Sequence, residues 1–375
     1  MTTRRDFTRE LTQWMGVAAA VASAAGCTTT SSGGGSLTVR PDERSLDDMY
    51  RAALAEGGQL VVYGGGDLPN GGAGLETAFV RRFPNMKIRV LVDRSKFQGV
   101  RIDNQLARNK LQPDVVHILA HHYYDRWKAE SRLLAYKPPG WDQVPVEYHD
   151  PDGFWTATAI FAFAPYINTD LIPLDQAPRD FIDFVDPKFK GKLALTYPNE
   201  DDSILWQFDQ AIAKHGWDWL DRLASQDVLW VQGSGINRQM IERGERAASF
   251  NTSGPLIPPA NAKTRFLLPR TDRFLSWAHP TAIFRQARHP EAAKLYVAWL
   301  LSSERQGGGS TWSVRRDMPV PAGYGPLSSH TTSPVAFREA LRDRARMERL
   351  RDQITQVIGP PLSPNPTRIA GVFPE

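Results

Sequence analysis

Apolar positions along this chain recur at two spacings. Over residues 46–56 they fall at Leu46, Met49 and Ala53, the step of a helix face, with Ser45 placed to cap it. Residues 59–63, QLVVY, form a short apolar run that enters a glycine-rich stretch, GGGDLPNGGAG at 64–74. A helical pattern follows at 75–83, a strand-like alternation at 87–93, a second helical pattern at 101–109 and a buried strand at 114–119. Strands alternating with helices at this spacing predict a parallel α/β sheet.

The same style then repeats. Residues 154–168 read as strand, 180–184 as a short helix and 192–198 as strand. Helices are predicted at 202–216 and 217–225, a strand at 228–233, a helix at 236–245 and a strand at 246–251. These make a second α/β unit. Residues 289–306 form an amphipathic helix that buries Leu295, Val297, Ala298, Trp299 and Leu301 and turns Glu304 and Arg305 to water. A charged helix or helix pair is expected at 335–358. The segment after it, GPPLSPNPTR, is proline-rich and irregular.

The ends change the picture. Arg4, Arg5 and Arg9 precede an Ala-rich apolar run at 14–26, too short to span a bilayer. Small residues then lead to Cys27, the single cysteine among 375 residues. Basic, apolar and small in that order predict a signal peptide over 1–26, and Thr3-Arg4-Arg5-Asp6-Phe7 is twin-arginine-like. Ala24-Ala25-Gly26-Cys27 resembles a lipobox, which makes Cys27 a lipid attachment point. Cleavage at Ala22-Ser23-Ala24, leaving a free thiol, is the alternative. Residues 27–45 read as a flexible tether.

Composition then excludes classes. One cysteine allows no disulfide framework and no thiolate metal site. The net charge of +4 falls to about +3 without residues 1–26, and no basic tract interleaved with aromatics points to nucleic acid. Enzyme signatures are missing: no Gly-x-Ser-x-Gly elbow, no His-Glu-x-x-His helix, no phosphate-loop Lys.

Candidate contacts cluster at predicted strand ends. The loop Gly65-Gly66-Asp67 offers backbone amides for an anion, or a permissive turn. His121, His122, Tyr123 and Tyr124 follow the strand at 114–119, where α/β proteins place ligands. Any single one of them is expected to pack, and at least one to touch ligand. Tyr197 and Asn199, Ser234, and Asn251 with Thr252 lie at further strand ends. Asn199-Glu200-Asp201-Asp202-Ser203 opens a helix, whose dipole the acids suit. Most tryptophans read as core; Trp155 and Trp277 are expected at crossovers between domains.

In chain order, AEGGQLVVYGGGD, PDVVHI, YINTD, FIDFVDPKFKGKLALTYP, RGERAASF and RHPEAAKLYVAWLLSSERQ resemble bacterial ABC-transporter solute-binding proteins, over about residues 50 to 320. The group is the one that includes the ferric-iron binders. The resemblance implies a two-lobed periplasmic-binding-protein type II fold, α/β throughout, with the ligand cleft between lobes. Lobe one would take 46–157 plus 279–325, and lobe two 158–278 plus 326–375. It implies hinge closure over ligand, a membrane permease as partner, a monomer, no cofactor, no catalysis and a place at the extracytoplasmic face of the membrane. Ferric binders typically use a His, a Glu and a tyrosine pair; those positions fall here near Asp67, near Leu119 and at Thr252-Ser253, so none is kept. A small organic solute is therefore the first expectation. A metal held by Asp67, His121 and Tyr123 is the second, and a hydrolase or lyase using His121 or His122 as base a distant third.

Overall fold

The computed structural model describes residues 39–68, 70–309 and 311–374. The expected signal peptide, Cys27 and most of the expected tether lie outside the described residues. The tether's far end differs from expectation. The Asp42 amide donates to the Lys137 carbonyl at 2.8 Å, and Arg44 joins Asp42 to Glu291, each at 2.7 Å, so residues 42–45 are fixed to the body.

Helix α1 (Leu46–Ala55) starts where Ser45 accepts from the Asp48 amide, and it buries Met49 and Ala53. Gly57 and Gly58, both at positive φ, turn the chain into β1 (Gln59–Gly65). Helix α2 (Ala73–Arg82) returns it to β2 (Lys87–Asp93), and α3 (Ser95–Ala107) to β3 (Val115–His117). Strand β1 lies between β2 and β3, parallel to both, as the βαβ spacing predicted.

Helix α4 (His122–Ala129) and the short β4 (Leu133–Leu134) lead to the long β5 (Thr156–Asn168). The second unit carries β6 (Ala194–Thr196), α5 (Asp202–His215), α6 (Trp217–Ala224), β7 (Leu229–Val231), α7 (Ser234–Glu242) and β8 (Ala248–Thr252). Strands β6 and β7 are parallel. Then come β9 (Thr264–Phe266) and β10 (Leu275–Phe284). The main sheet runs β2-β1-β3-β10-β5-β8, and its β10 and β8 both pair antiparallel to β5. The sheet is thus mixed, where a parallel one was expected. Pro280 hides β10 from sequence reading, since proline cannot donate to a ladder; the sheet admits it through an irregularity at His279/Pro280.

Two of the hydrophobic cores draw on opposite ends of β10, one through Ile283 and the other through Leu275 and Trp277. One joins α1, α2 and β1 to α8 (Pro290–Leu301), whose Leu295 and Tyr296 are fully buried. A four-residue α9 (Ser303–Gln306) follows after Ser302 breaks the helix expected to run unbroken over 289–306. The other core packs Phe181, Phe208, Trp219 and Phe250 with Phe337 of α10 (Pro334–Ala340) and Met347 and Ile354 of α11 (Arg344–Ile358). The charged stretch at 335–358 is therefore a helix pair.

Candidate ligand-binding cleft

The cleft is built from the C-terminal end of β1. Its glycines are required by close approach. A Cβ on Gly65 would stand 2.5 Å from Ser95 Oγ and 3.2 Å from Ile118 Cα, and one on Gly66 would stand 2.7 Å from Val92. The loop lies flat against β2 and β3 and points Asp67 across to the second unit. There the Asp67 carboxylate accepts from the Gly235 amide at 3.1 Å and from Ser234 Oγ at 2.9 Å. It sits at the N-terminus of α7, where aligned peptide dipoles favour negative charge. Loss of hydration raises its pKa, against the lowering pull of those two donors.

Two cavities, of about 570 and about 420 Å³, share Gly65–Leu68, Phe161 and His279 as walls. The larger is mainly apolar. His117 and His279 are buried there, with ring centroids 5.9 Å apart. Burial lowers both, His117 to about 4 and His279 to about 3, so at neutral pH these rings carry no charge. Phe161 stacks on Trp277 at 5.3 Å and meets His279 edge-on at 5.1 Å. Trp312 and Gln306 add a second aromatic surface and an amide.

The smaller cavity has more polar side chains, set among apolar walls that include Leu119, Phe163 and Trp277. Residues at the first turns of α3, α5 and α7 line it: Ser95, Ser203, Ser234 and Gly235. Arg94 is 7% exposed. It spans the lobes to Glu200 and to Gln232 Oε1 (2.8 Å), while its Nε has no partner among the described residues. Arg238 is held by Glu242 at 2.8 Å. Hydroxyls and helix N-termini offer this chamber hydrogen bonds for polar groups, while Asp67, Asp201 and Glu242 also line it and both arginines are already paired with carboxylates.

Of the residues singled out by sequence, Gly65, Gly66 and Asp67 border both chambers, and Ser234 and Trp277 line the smaller one. His122, Tyr123 and Asn199 line a separate cavity of about 290 Å³, beside Lys96 and Arg351. His122 and Tyr123 sit there because α4 starts at His122 and carries them away from the β1 loop. His121 turns into the core, edge-on to Trp155 at 6.0 Å, with neither ring nitrogen partnered among the described residues; burial lowers its pKa well below the ordinary value. Trp155 lies buried under the Arg338 guanidinium, 5.2 Å away, and not at the cleft.

Asn251 is structural in its contacts. Fully buried, it accepts from the Thr196 amide (3.1 Å) and from Asn237 Nδ2 (2.8 Å), and donates to the Thr196 carbonyl (3.1 Å). Thr252 donates to the Ser234 carbonyl at 2.6 Å, and Tyr197 stacks on Trp230 at 5.7 Å. Asp67, His121 and Tyr123 share no cavity, so the structure does not assemble the metal set. Among the described residues no three His, Cys, Asp or Glu side chains converge as metal ligands.

Sequence reading missed Phe161, Arg94, His117, His279 and Trp312. Phe161 carried no sequence signal: it shares a strand face with the buried Phe163, and only the structure shows it 38% exposed, as a residue facing a cleft would be. His279 was lost with β10.

A model of the family described as bacterial extracellular solute-binding protein matches residues 111–322. No curated protein matches the chain in sequence. Among solved structures, iron-bound HitA from Pseudomonas aeruginosa matches at TM-score 0.60 and 17% identity, over 79% of this chain and 99% of that one. The periplasmic binding protein AfuA from Actinobacillus pleuropneumoniae, with fructose-6-phosphate bound, matches at TM-score 0.60 and 19% identity, over 80% and 99%. The substrate-binding protein of an ABC transporter from Agrobacterium tumefaciens matches at TM-score 0.65 and 14% identity, over 80% and 94%. These likenesses establish the two-lobed α/β fold. The family match spans more than half of the sequence, and the chain belongs to the bacterial extracellular solute-binding proteins.

Proposed function

We propose that this chain is the exported solute-binding component of an ABC importer, and that it captures a small organic solute between its lobes and presents it to a membrane permease. The observation that carries the reading is the pair of adjoining cavities behind the Gly65–Leu68 loop. Their volumes, about 570 and about 420 Å³, fall in the range of small-molecule sites. Apolar and aromatic walls in both chambers, with serine hydroxyls added in the smaller one, suit a solute with an apolar body and a polar end. The structural neighbours hold iron in one case and a sugar phosphate in another. The organic reading is favoured because Asp67, His121 and Tyr123 stand apart.

Export and anchoring complete the proposal. The N-terminal pattern directs the chain across the membrane, and Cys27 carries the lipid that keeps it at the extracytoplasmic face. Trp277 and Trp312 line the two chambers. Their fluorescence should therefore respond to sugar phosphates, small carboxylates or amino acids added to the purified protein. A saturable change with one class, abolished in Phe161→Ala, supports the reading. A response to ferric ion alone across the same panel would overturn it.

A further inference from the structure

The proline-rich C-terminal segment has no part in the cleft, yet it touches both lobes. On one side, the Asn199 Nδ2 donates to the Gly359 carbonyl at 2.9 Å, and the Gln232 amide donates to Ser363 Oγ at 2.8 Å. Both donors follow strands of the second unit, β6 and β7. On the other side, Thr367 Oγ1 donates to Asp93 Oδ1 at 2.6 Å, Arg101 Nε to the Gly371 carbonyl at 3.2 Å and Gln105 Nε2 to the Val372 carbonyl at 2.6 Å. Asp93, Arg101 and Gln105 belong to β2 and α3 and are all buried. Asp93 and Arg101 already form an ion pair at 2.7 Å, and the segment supplies further partners to both. Buried polar groups without partners are costly, so this end is firmly held.

Between the two anchors lie only Pro364, Asn365 and Pro366. Each proline fixes φ and removes a donor. Asn365 Oδ1 accepts from the Thr367 amide at 3.4 Å, a local turn within the link. Four residue steps from Ser363 to Thr367 reach at most about 14 Å when fully extended. Opening that separates the two anchors beyond that reach must therefore break one of them. The link also meets the cleft through one residue: Gln232, which binds Ser363, accepts from Arg94 in the smaller chamber.

We infer that residues 359–374 are a built-in tie between the lobes, which limits hinge opening and holds the solute-free protein near its closed form. Without it, the lobes are joined by β5 and β10 and by interlobe contacts such as Asp67 to Ser234 and Arg94 to Glu200. With it, a covalent segment bound on both lobes spans the gap.

The test is small-angle X-ray scattering of the solute-free protein in three forms. These are the full chain, the chain ending at Gly359, and the chain with eight Gly-Ser residues inserted after Asn365. The insertion keeps every anchor and adds only slack, so it does not depend on the truncated chain folding. Radius of gyration and maximum dimension should rise in both variants relative to the full chain. Unchanged profiles in both would overturn the inference. So would opening on truncation but not on insertion, because packing and not the tie would then set the hinge. No solute is needed, so this result stands apart from the identity of the ligand.

Discussion

Acidification from pH 6.5 to 5 should destabilise this protein through its buried histidines. His117 and His279 are 8% and 7% exposed, and burial holds them at about 4 and about 3. In the unfolded chain both titrate near 6.5. Below pH 6.5 the unfolded state therefore binds protons that the native state refuses, and stability falls as pH falls. The unfolded histidine is half protonated at pH 6.5, so the slope per histidine rises from about 0.7 to about 1.4 kcal/mol per pH unit, a contribution of about 1.6 kcal/mol over the window. The pair gives about 3 kcal/mol, a large share of a typical domain's stability. His121, His122 and His149, also lowered by burial, act with the same sign. Asp67, whose pKa is raised, acts oppositely. Depressed carboxylates such as Asp202 lose their contribution at lower pH. Urea unfolding at closely spaced pH values measures the slope. His279→Asn should flatten it by the share of one histidine, whatever its cost at pH 7.5. A wild-type stability that is flat from pH 6.5 to 5, or a slope unchanged in the variant, would refute the reasoning.

Three further outcomes are expected. Asp114 is fully buried and accepts from the amides of Val61 (2.9 Å), Arg288 (2.8 Å) and His289 (3.0 Å), so Asp114→Ala should cost about 3–5 kcal/mol in urea unfolding, with part recovered in Asp114→Asn. Phe161→Ala removes a partly exposed wall shared by both chambers; it should weaken solute binding about tenfold or more in a fluorescence titration while leaving the melting temperature within a few degrees. Cys27→Ser should abolish metabolic labelling by palmitate and release the protein from the membrane fraction of expressing cells.

Much of the fold was legible because its signals are local. Short apolar runs between helical patterns marked β1, β2, β3, β6 and β7, and Ser45 marked the start of α1. Strand β10 was not legible, because Pro280 breaks the pattern and pairing with β3 and β5 rescues it. The cleft was half legible. The Gly65–Asp67 loop announced itself by composition. The direction of a side chain after a strand is decided by the next helix, and α4 sent His121 into the core and His122 with Tyr123 to another cavity. Asn251 reads as a ligand contact by type and position. Tertiary neighbours, Thr196 and Asn237, use its hydrogen-bonding capacity instead.

Native mass spectrometry of the gently purified protein tests the central claim most directly, because a solute enclosed by both lobes leaves slowly. The account predicts a retained organic mass, small enough for cavities of about 570 and about 420 Å³, and its loss in Phe161→Ala. An added mass equal to a metal ion alone, kept in Phe161→Ala, would contradict it.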